Sequence, residues 1–339
     1  MKNSLLSTLC LALLMAVLTL HATPVQARVW RIDNNAGAQA DFAQGTTALA
    51  DSRVVDGDTL YFNGSVTTYS NFVVTKRLVI FGVGYFLDQN PNTQVSFNTA
   101  QVSSIEFRVG SAGSEIQGME VSSRIYIYVS NISVRRNICS VDVRSGTGYG
   151  ATAEVAVSGI FISQNWLSYA TASSSGGTIS NLFITNNYIY SSGVNTGAIP
   201  GVTVAQNVIN GPTLTTNASY VYNNIMLSGA VSGTANAYNN NIGSATQFPA
   251  GNGNQQNVSM ANVFLSINSG STDGRYQLKP GSPALAAGIN GEDIGMFGGS
   301  DPYVLSGMPP IPSIWFFSQP SVVPASGVLQ VRLKASSHN

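Results

Sequence analysis

The charged side chains that could do chemistry are concentrated between Glu106 and Glu154. A carboxylate beside a basic group can act in general acid–base catalysis when both converge on one face of a fold. The candidates for such a role are Asp142, Arg144, Arg135, Arg136 and Glu154. We expect Asp142 and Arg144 in an enlarged loop, because the repeats described below are farthest apart there. Alternatively, Arg135 and Arg136 point outward and form ion pairs with acidic residues of the neighbouring structural repeat. Such surface ion pairs stabilise a fold only slightly.

Two aromatic residues form a second candidate site. Trp166 and Tyr188 occupy the same position in successive repeats, so their rings could stack along one outward face. Exposed aromatic pairs of this kind stack against sugar rings. Ile138, Val208 and Ile225 share the position, however, which is also consistent with a half-covered groove under a loop.

Both candidates lie on a chain with a short internal repeat of about 20 residues, a period typical of solenoids. Each unit has an apolar residue, two spacers, an Asn, one spacer and a second apolar residue. The Asn residues are Asn137, Asn165, Asn187, Asn207, Asn224 and Asn240. The units are rich in Val, Ile, Tyr, Thr, Asn, Ser and Gly and alternate apolar with polar residues, which predicts β-strand coils.

The repeated Asn has a structural interpretation. Asn tolerates the left-handed backbone conformation better than other non-glycine residues, so one Asn per coil permits a sharp bend. When coils stack about 4.8 Å apart, the amides can also bond one another as an internal ladder. We expect about ten such coils.

The two ends of the solenoid need covers, because an open strand edge is an aggregation hazard. Residues 41–50 are predicted to supply a short helix over the first coil. Near the other end, Pro309, Pro310 and Pro312 break the chain into a stiff linker. The strand-like residues that follow, 313–317 and 328–334, are expected to cap the last coil, or alternatively to act as a tail for surface delivery.

The first residues predict export. Lys2, the apolar run from Leu9 to Leu20 and the small residues around Ala27 are typical of a Sec signal peptide over residues 1–27. We therefore expect an extracellular, cell-surface or periplasmic protein with no membrane span in the mature chain. The domain boundaries predicted are 28–300 for the solenoid and 301–339 for the linker and tail.

Composition limits the partners and the chemistry. Charged residues make up 9% of the chain and its formal net charge is zero, against a usual charged fraction of about 25%. Between Val155 and Thr272 there is no Asp, Glu, Lys, Arg or His. We expect no nucleic-acid partner, and the Ser, Thr, Asn and Gly surface suits a polysaccharide or cell-surface glycan. Cys139 falls in the inward apolar column, where it acts as a small hydrophobe.

Two further segments resemble a known group. Residues 56–87 (DGDTLYFNGSVTTYSNFVVTKRLVIFGVGYFL) and 273–299 (DGRYQLKPGSPALAAGINGEDIGMFGG) look like the opening and closing coils of right-handed parallel β-helix, or pectin-lyase-like, proteins secreted by Bacteroidetes-type bacteria. The resemblance implies an all-β right-handed parallel β-helix. Lyases of this superfamily hold Ca²⁺ with acidic residues and use an Arg or Lys base, and its hydrolases use several Asp on neighbouring coils.

The sequence has no Asp-Asp, Asn-Thr-Asp or Gly-His-Gly run of the kind those enzymes use. We therefore expect an exported, non-catalytic surface protein with a structural, adhesive or weak glycan-binding role and no cofactor. The alternative is a polysaccharide lyase or glycoside hydrolase that uses the charged coils 106–154, with Ca²⁺ required only in the lyase case.

Overall fold

The structure is a computed structural model that describes residues 27–320, 322 and 327–337. The predicted signal peptide therefore lies outside the described residues except for Ala27. The described residues contain one short helix, α1 (Gly45–Ala50), with 3-10 turns at Thr147–Thr152, Met260–Asn262, Gly274–Tyr276, Ile289–Gly291 and Leu305–Gly307. No described helix is long and apolar enough to cross a membrane.

The strands are short and numerous. In chain order they are β1 (Val29–Ile32), β2 (Thr59–Phe62), β3 (Phe72–Val74), β4 (Val79–Phe81), β5 (Gln101–Phe107), β6 (Glu115–Gln117), β7 (Glu120–Ile127), β8 (Ser133–Arg135), β9 (Ile138–Ser145), β10 (Ala156–Ser163), β11 (Trp166–Ser174), β12 (Thr178–Thr185), β13 (Tyr188–Pro200), β14 (Thr203–Ala205), β15 (Val208–Ile209), β16 (Thr213–Asn217), β17 (Tyr220–Tyr222), β18 (Ile225–Met226), β19 (Ala230–Ser232), β20 (Ala237–Asn239), β21 (Ile242–Gly243), β22 (Ser313–Ser318) and β23 (Arg332–Ser336).

The strands up to β21 stack into a parallel β-solenoid of about nine turns, which confirms the predicted β-helix fold. The first sheet contains ten strands in the order β1, β2, β4, β6, β8, β10, β12, β14, β17 and β20. The second sheet runs from β3 through β5, β7, β9, β11 and β13 to β15, β18 and β21, and β16 joins β13 to β19. Neighbours in the solenoid pair in parallel, as Ile160 with Leu182 and Ile162 with Ile184. Their apolar side chains form one buried core.

An Asn ladder runs along one corner of the solenoid. The Nδ2 atom of Asn187 donates to Oδ1 of Asn207 at 3.0 Å, and its Oδ1 accepts from Nδ2 of Asn165 at 3.1 Å. The rungs are separated by 28, 22, 20, 17, 17 and 13 residues. The ladder residues are Asn137, Asn165, Asn187, Asn207, Asn224, Asn241 and Asn254.

The prediction was wrong in two details. The sixth rung is Asn241 and not Asn240, which lies beside it in a run of three Asn residues. The left-handed residue of each corner is also not the ladder Asn but the residue before it. These residues have φ angles between 52° and 59°, and they are Arg136, Gln164, Asn186, Gln206, Asn223 and Asn240.

The predicted N-terminal cap is present as α1, which packs on the first coils. A Cβ atom on Gly45 would lie 2.9 Å from the rings of Phe62 and Phe72, so only glycine permits this close approach. Lys76 Nζ donates to the carbonyl oxygens of residues 49, 51 and 54 at 3.1, 3.1 and 2.8 Å. This lysine closes the end of the helix.

The closing segment differs from expectation, because residues 263–308 do not form further coils. They run back along the outside of the solenoid, and we call them the strap. The left-handed corner residues hold it: Asn240 Nδ2 donates to Ala287 O at 2.9 Å, and Arg136 Nη1 donates to Met308 O at 2.9 Å. Asn186 Nδ2 donates to the carbonyl oxygens of residues 296 and 298. From Ala287 to Met308 the strap thus crosses successive coils from the last toward the first.

The C-terminal tail also differs from expectation. Strands β22 and β23 pair with each other as an antiparallel hairpin. Val95 N donates to Ile314 O at 3.0 Å, and Ser313 Oγ donates to Thr93 O at 2.9 Å. These contacts lie on the loop between β4 and β5, near the first coils. The described part of the tail therefore does not cap the last coil.

We predict that Asn187→Ala destabilises the fold by about 3 kcal/mol or more, because each buried partner left without a hydrogen bond costs roughly 1–3 kcal/mol. The side chain of Asn187 bonds Asn165, Asn207 and the carbonyl of Ile162. Urea unfolding measures the change. The matched control is the exposed Asn268, where replacement by Ala is expected to stay within about 0.5 kcal/mol.

We also predict acid sensitivity at the first coil through Asp58. Burial would raise the pKa of Asp58, but hydrogen bonds from Val55 N, Arg28 N and Trp30 Nε1 hold it below its usual value. Because the pKa of Asp58 is lower in the folded than in the unfolded protein, the ionised carboxylate stabilises the fold at any pH above the unfolded pKa of about 3.9. This stabilisation is lost as the pH falls through the folded pKa. Unfolding at pH 7 and pH 3 should show a larger loss for the wild type than for Asp58→Asn. The exposed Asp88→Asn should behave as the wild type.

Candidate functional site

The outward face of the second sheet carries a cluster of arginine and tyrosine side chains. Parallel pairing places β7, β9 and β11 side by side, with Tyr126 opposite Asp142 and Asp142 opposite Thr171. Side chains alternate along a strand, so neighbouring outward residues of these coils share one surface. The arginine–tyrosine cluster consists of Arg124, Tyr126, Tyr128, Asp142, Arg144, Tyr149 and Tyr169.

One carboxylate organises the cluster. Arg144 donates from Nε and Nη2 to Oδ2 of Asp142 at 3.0 and 2.6 Å. Nη1 of Arg124 lies 3.5 Å from the same oxygen. The Asp142 side chain is only 8% exposed, whereas those of Arg124 and Arg144 are 34% and 26% exposed. Two cations therefore share one buried anion, which leaves one net positive charge at the surface.

The tyrosine rings make cation–π contacts with the guanidinium groups of Arg124 and Arg144. The guanidinium carbon of Arg144 lies 4.7 Å from the centre of the Tyr126 ring, and that of Arg124 lies 5.5 Å from the Tyr169 ring. Tyr126 and Tyr128 stack with centroids 6.2 Å apart. Cation–π contacts of this kind contribute about 0.5–1 kcal/mol each at exposed sites. The cluster is thus a fixed surface of rings and cations.

The cluster also shifts proton affinities. Burial lowers the pKa of Arg144, but the hydrogen bonds and charge of Asp142 outweigh burial and raise it. Burial raises the pKa of Tyr128, and the charge of Arg144 opposes that rise. Burial likewise raises the pKa of Tyr169, with Arg124 acting in the opposite direction. Arg144 therefore stays charged, and Tyr128 and Tyr169 stay neutral, at ordinary pH.

The cluster continues along the solenoid as a polar column. In register with Tyr126 and Asp142 lie outward residues with hydroxyl or amide groups on the next four strands, β11, β13, β16 and β19. They are Thr171, Asn195, Thr215 and Ser232. An open groove of about 590 Å³ adjoins the column, lined by residues 172–174, 176–179 and 197–200. The hydroxyl of Tyr149 and Oγ of Ser173, which lines this groove, are 3.0 Å apart, so the groove borders the cluster.

The structure does not bring the five catalytic candidates together. Asp142 and Arg144 are paired, but they lie on strand β9 and not in the enlarged loop, which begins after Ser145. Arg135 Nη2 binds Asp301 of the strap at 2.6 Å. Arg136 is buried and donates to Gln164 and Met308. The Glu154 carboxylate accepts from N and Oγ of Ser130 at 2.9 and 2.5 Å.

The aromatic pair forms the predicted stack but not an exposed platform. The rings of Trp166 and Tyr188 are 4.0 Å apart, centroid to centroid. They are only 9% and 3% exposed, because Phe86 and the strap residue Tyr276 pack on them. Burial raises the pKa of Tyr188, whose hydroxyl bonds that of Tyr276 at 2.6 Å. The alternative of a covered groove is therefore the one observed.

Cys139 lies in the core, as predicted. The thiol is buried beside the apolar column, and burial raises the pKa of Cys139 well above its usual value. A thiol with a raised pKa is a poor nucleophile. Among the described residues no group of three or more His, Cys, Asp and Glu side chains is placed to hold a metal ion.

Sequence reasoning overlooked the tyrosines of the cluster. The run Arg124-Ile-Tyr-Ile-Tyr alternates apolar with polar aromatic residues, which is the signal that could have found them. Their partners Asp142 and Arg144 were singled out only for their charge. What the chain does not reveal is that a coil brings Arg124 beside Asp142 although the two are well separated in sequence.

Comparison with known proteins adds no relative. The chain matches no protein-family model, no curated protein and no solved structure. The pectin-lyase-like relationship inferred from residues 56–87 and 273–299 therefore stays a prediction, while the solenoid fold itself is observed.

We predict that Asp142→Asn destabilises the protein by about 2 kcal/mol, because hydrogen bonds to charged groups contribute roughly 1.5–3 kcal/mol and two guanidinium groups would repel each other. Chemical denaturation at low salt measures the effect. Asp51→Asn is the matched control, since Asp51 also binds an arginine two residues away, Arg53, but at the surface. The Asp51→Asn variant should lose clearly less stability than Asp142→Asn. Equal losses of stability would show that Asp142 does not organise the cluster.

Proposed function

We propose that the protein is an exported, non-catalytic β-solenoid that binds a glycan along the outward face of its second sheet. The observation that carries this proposal is the arginine–tyrosine cluster continued by the column Thr171, Asn195, Thr215 and Ser232. Tyrosine rings supply surfaces for sugar stacking, and guanidinium, hydroxyl and amide groups supply hydrogen bonds to sugar hydroxyls.

The geometry of the face fits an extended polymer. Successive coils are about 4.8 Å apart, so the column repeats the same kind of polar contact along the solenoid axis. The adjoining groove of about 590 Å³ widens this face beside Ser173 and Thr178. A chain of sugars could therefore lie along several coils and gain affinity from many weak contacts.

The arrangement of acidic groups supports binding over catalysis. The carboxylate of Asp142 is already shared by two arginines, and that of Glu154 by the backbone and hydroxyl of Ser130. A lyase or hydrolase needs a carboxylate or a basic group free to exchange a proton with substrate. Arg135 and Arg136 are likewise engaged with the strap.

We predict that the protein beginning at Arg28 binds members of a panel of acidic and neutral polysaccharides, and that Tyr126→Ala with Tyr169→Ala weakens binding about tenfold or more. Each ring contact contributes roughly 1 kcal/mol, and 1.4 kcal/mol is tenfold in affinity. Affinity electrophoresis or calorimetry measures the change. Tyr220→Ala is the control, because this tyrosine is exposed on the first sheet.

The same panel, incubated with and without Ca²⁺, is assayed for unsaturated products and new reducing ends. We expect no turnover. Product formation that Asp142→Ala or Arg144→Ala abolishes would replace the binding proposal by the lyase or hydrolase alternative. Binding by the double tyrosine variant at wild-type affinity would show that the glycan uses another surface.

A further inference from the structure

The C-terminal hairpin is the most apolar exposed element among the described residues. Strands β22 and β23 form a two-stranded sheet that pairs with no other described strand. More of the exposed large apolar side chains lie here than in any other stretch of similar length. They are Ile314, Phe316, Phe317, Val322, Val328, Leu329, Val331 and Leu333. Such a concentration marks an interaction surface.

The hairpin is amphipathic. Along β23, Leu333 and Ala335 share one face, while Arg332 and Lys334 share the other. Their partners across the sheet are Phe317 for Leu333 and Ile314 for Ala335. One face is therefore apolar, and its Phe317 and Leu333 are 48% and 58% exposed.

The opposite face is aromatic and basic. Lys334 Nζ lies 5.0 Å from the centre of the Trp315 ring and 5.6 Å from that of Phe316. Arg332 on the same face is also exposed. No Asp or Glu lies between residues 302 and 339, so no acidic side chain of this segment offsets the two cations. Two exposed apolar residues of the supporting loop, Val95 and Phe97, extend the apolar surface.

We infer that this hairpin docks the protein on a lipid surface that carries anionic headgroups. Trp and Phe side chains with neighbouring Lys and Arg are the composition that binds at the membrane–water interface. Basic residues near an anionic leaflet add attraction that acidic residues would cancel. The hairpin therefore lies at the interface.

The small area of the hairpin argues against a second copy of the chain as the partner that binds it. Two strands of five or six residues present a face of about 200 Å², whereas a stable interface buries about 800 Å² per partner. Apolar side chains also lie on both faces, since Phe316 is on the side opposite Phe317. A single flat protein surface covers only one face, whereas a membrane interface offers acyl chains to one face and headgroups to the other.

The test is co-sedimentation with phosphatidylcholine vesicles prepared with and without phosphatidylglycerol. The protein begins at Arg28, so that the apolar run at 9–20 cannot itself bind lipid. We expect binding to the anionic vesicles. Arg332→Gln with Lys334→Gln should weaken it about thirtyfold, because each basic residue near the surface contributes roughly fivefold.

A second pair of variants tests the apolar contribution. Phe316→Ser with Phe317→Ser should abolish sedimentation, while Phe161→Ser with Tyr220→Ser, which removes exposed rings from the first sheet, should leave it unchanged. Unchanged far-ultraviolet circular dichroism verifies the fold of each variant. The inference is overturned if the wild type sediments with neither vesicle, or if the hairpin variants bind as it does. It is also overturned if the wild type ignores lipid and forms a dimer that the hairpin variants dissociate.

Discussion

The fold depends on a column of buried Asn amides. An amide placed inside a protein must satisfy both its donors and its acceptor, or it costs more than it contributes. From Asn137 to Asn241, Nδ2 of each ladder Asn reaches both the next coil and the previous coil. In several corners it also reaches its own coil, as Asn165 does with Ser163. These bonds fix the height and direction of every coil relative to the next. A solenoid built in this way cannot slip by one residue without breaking the whole column.

The ladder also determines what lies outside it. The residue before each rung takes the left-handed conformation, which turns its side chain away from the ladder and toward the strap. Amides and one guanidinium at these positions then hold the backbone of residues 284–308, as Asn223 Oδ1 does with Ile289 N at 2.9 Å. The residue after each rung also points outward, and the strap covers this second column, including Trp166, Tyr188, Val208, Ile225 and Ile242. The same corner of the solenoid therefore holds the coils together and binds the strap.

Much of this architecture could be predicted from the chain because it is periodic. The Asn spacing and the two-residue alternation indicated the coils, the ladder and the inward position of Cys139. Asn240 was taken for a rung because three consecutive Asn residues fit the pattern equally well. Whether Trp166 and Tyr188 face solvent depends on Tyr276 of the strap, a contact across many residues that no local pattern encodes. The pairing of Asp142 with Arg124 was hidden for the same reason.

The candidate binding face differs from the rest of the surface through its charge. The later coils, between Val155 and Thr272, carry no Asp, Glu, Lys, Arg or His, so they present mainly hydroxyl and amide groups. The earlier coils concentrate cations around one buried carboxylate. A face that changes from cationic to neutral along its length offers two kinds of contact to one long ligand. The rigid ladder beneath it keeps that face preorganised, which reduces the entropy lost on binding.

The bonds between the ladder corners and the strap imply that the two form one cooperative unit. Amide hydrogen–deuterium exchange measured by mass spectrometry tests it directly. We expect peptides spanning 162–167, 184–189 and 204–209 to exchange only on global unfolding, and peptides from 284–308 to be protected to the same degree. Fast exchange of the strap, with the corners still protected, would show that the left-handed residues do not hold it and that the two parts unfold independently.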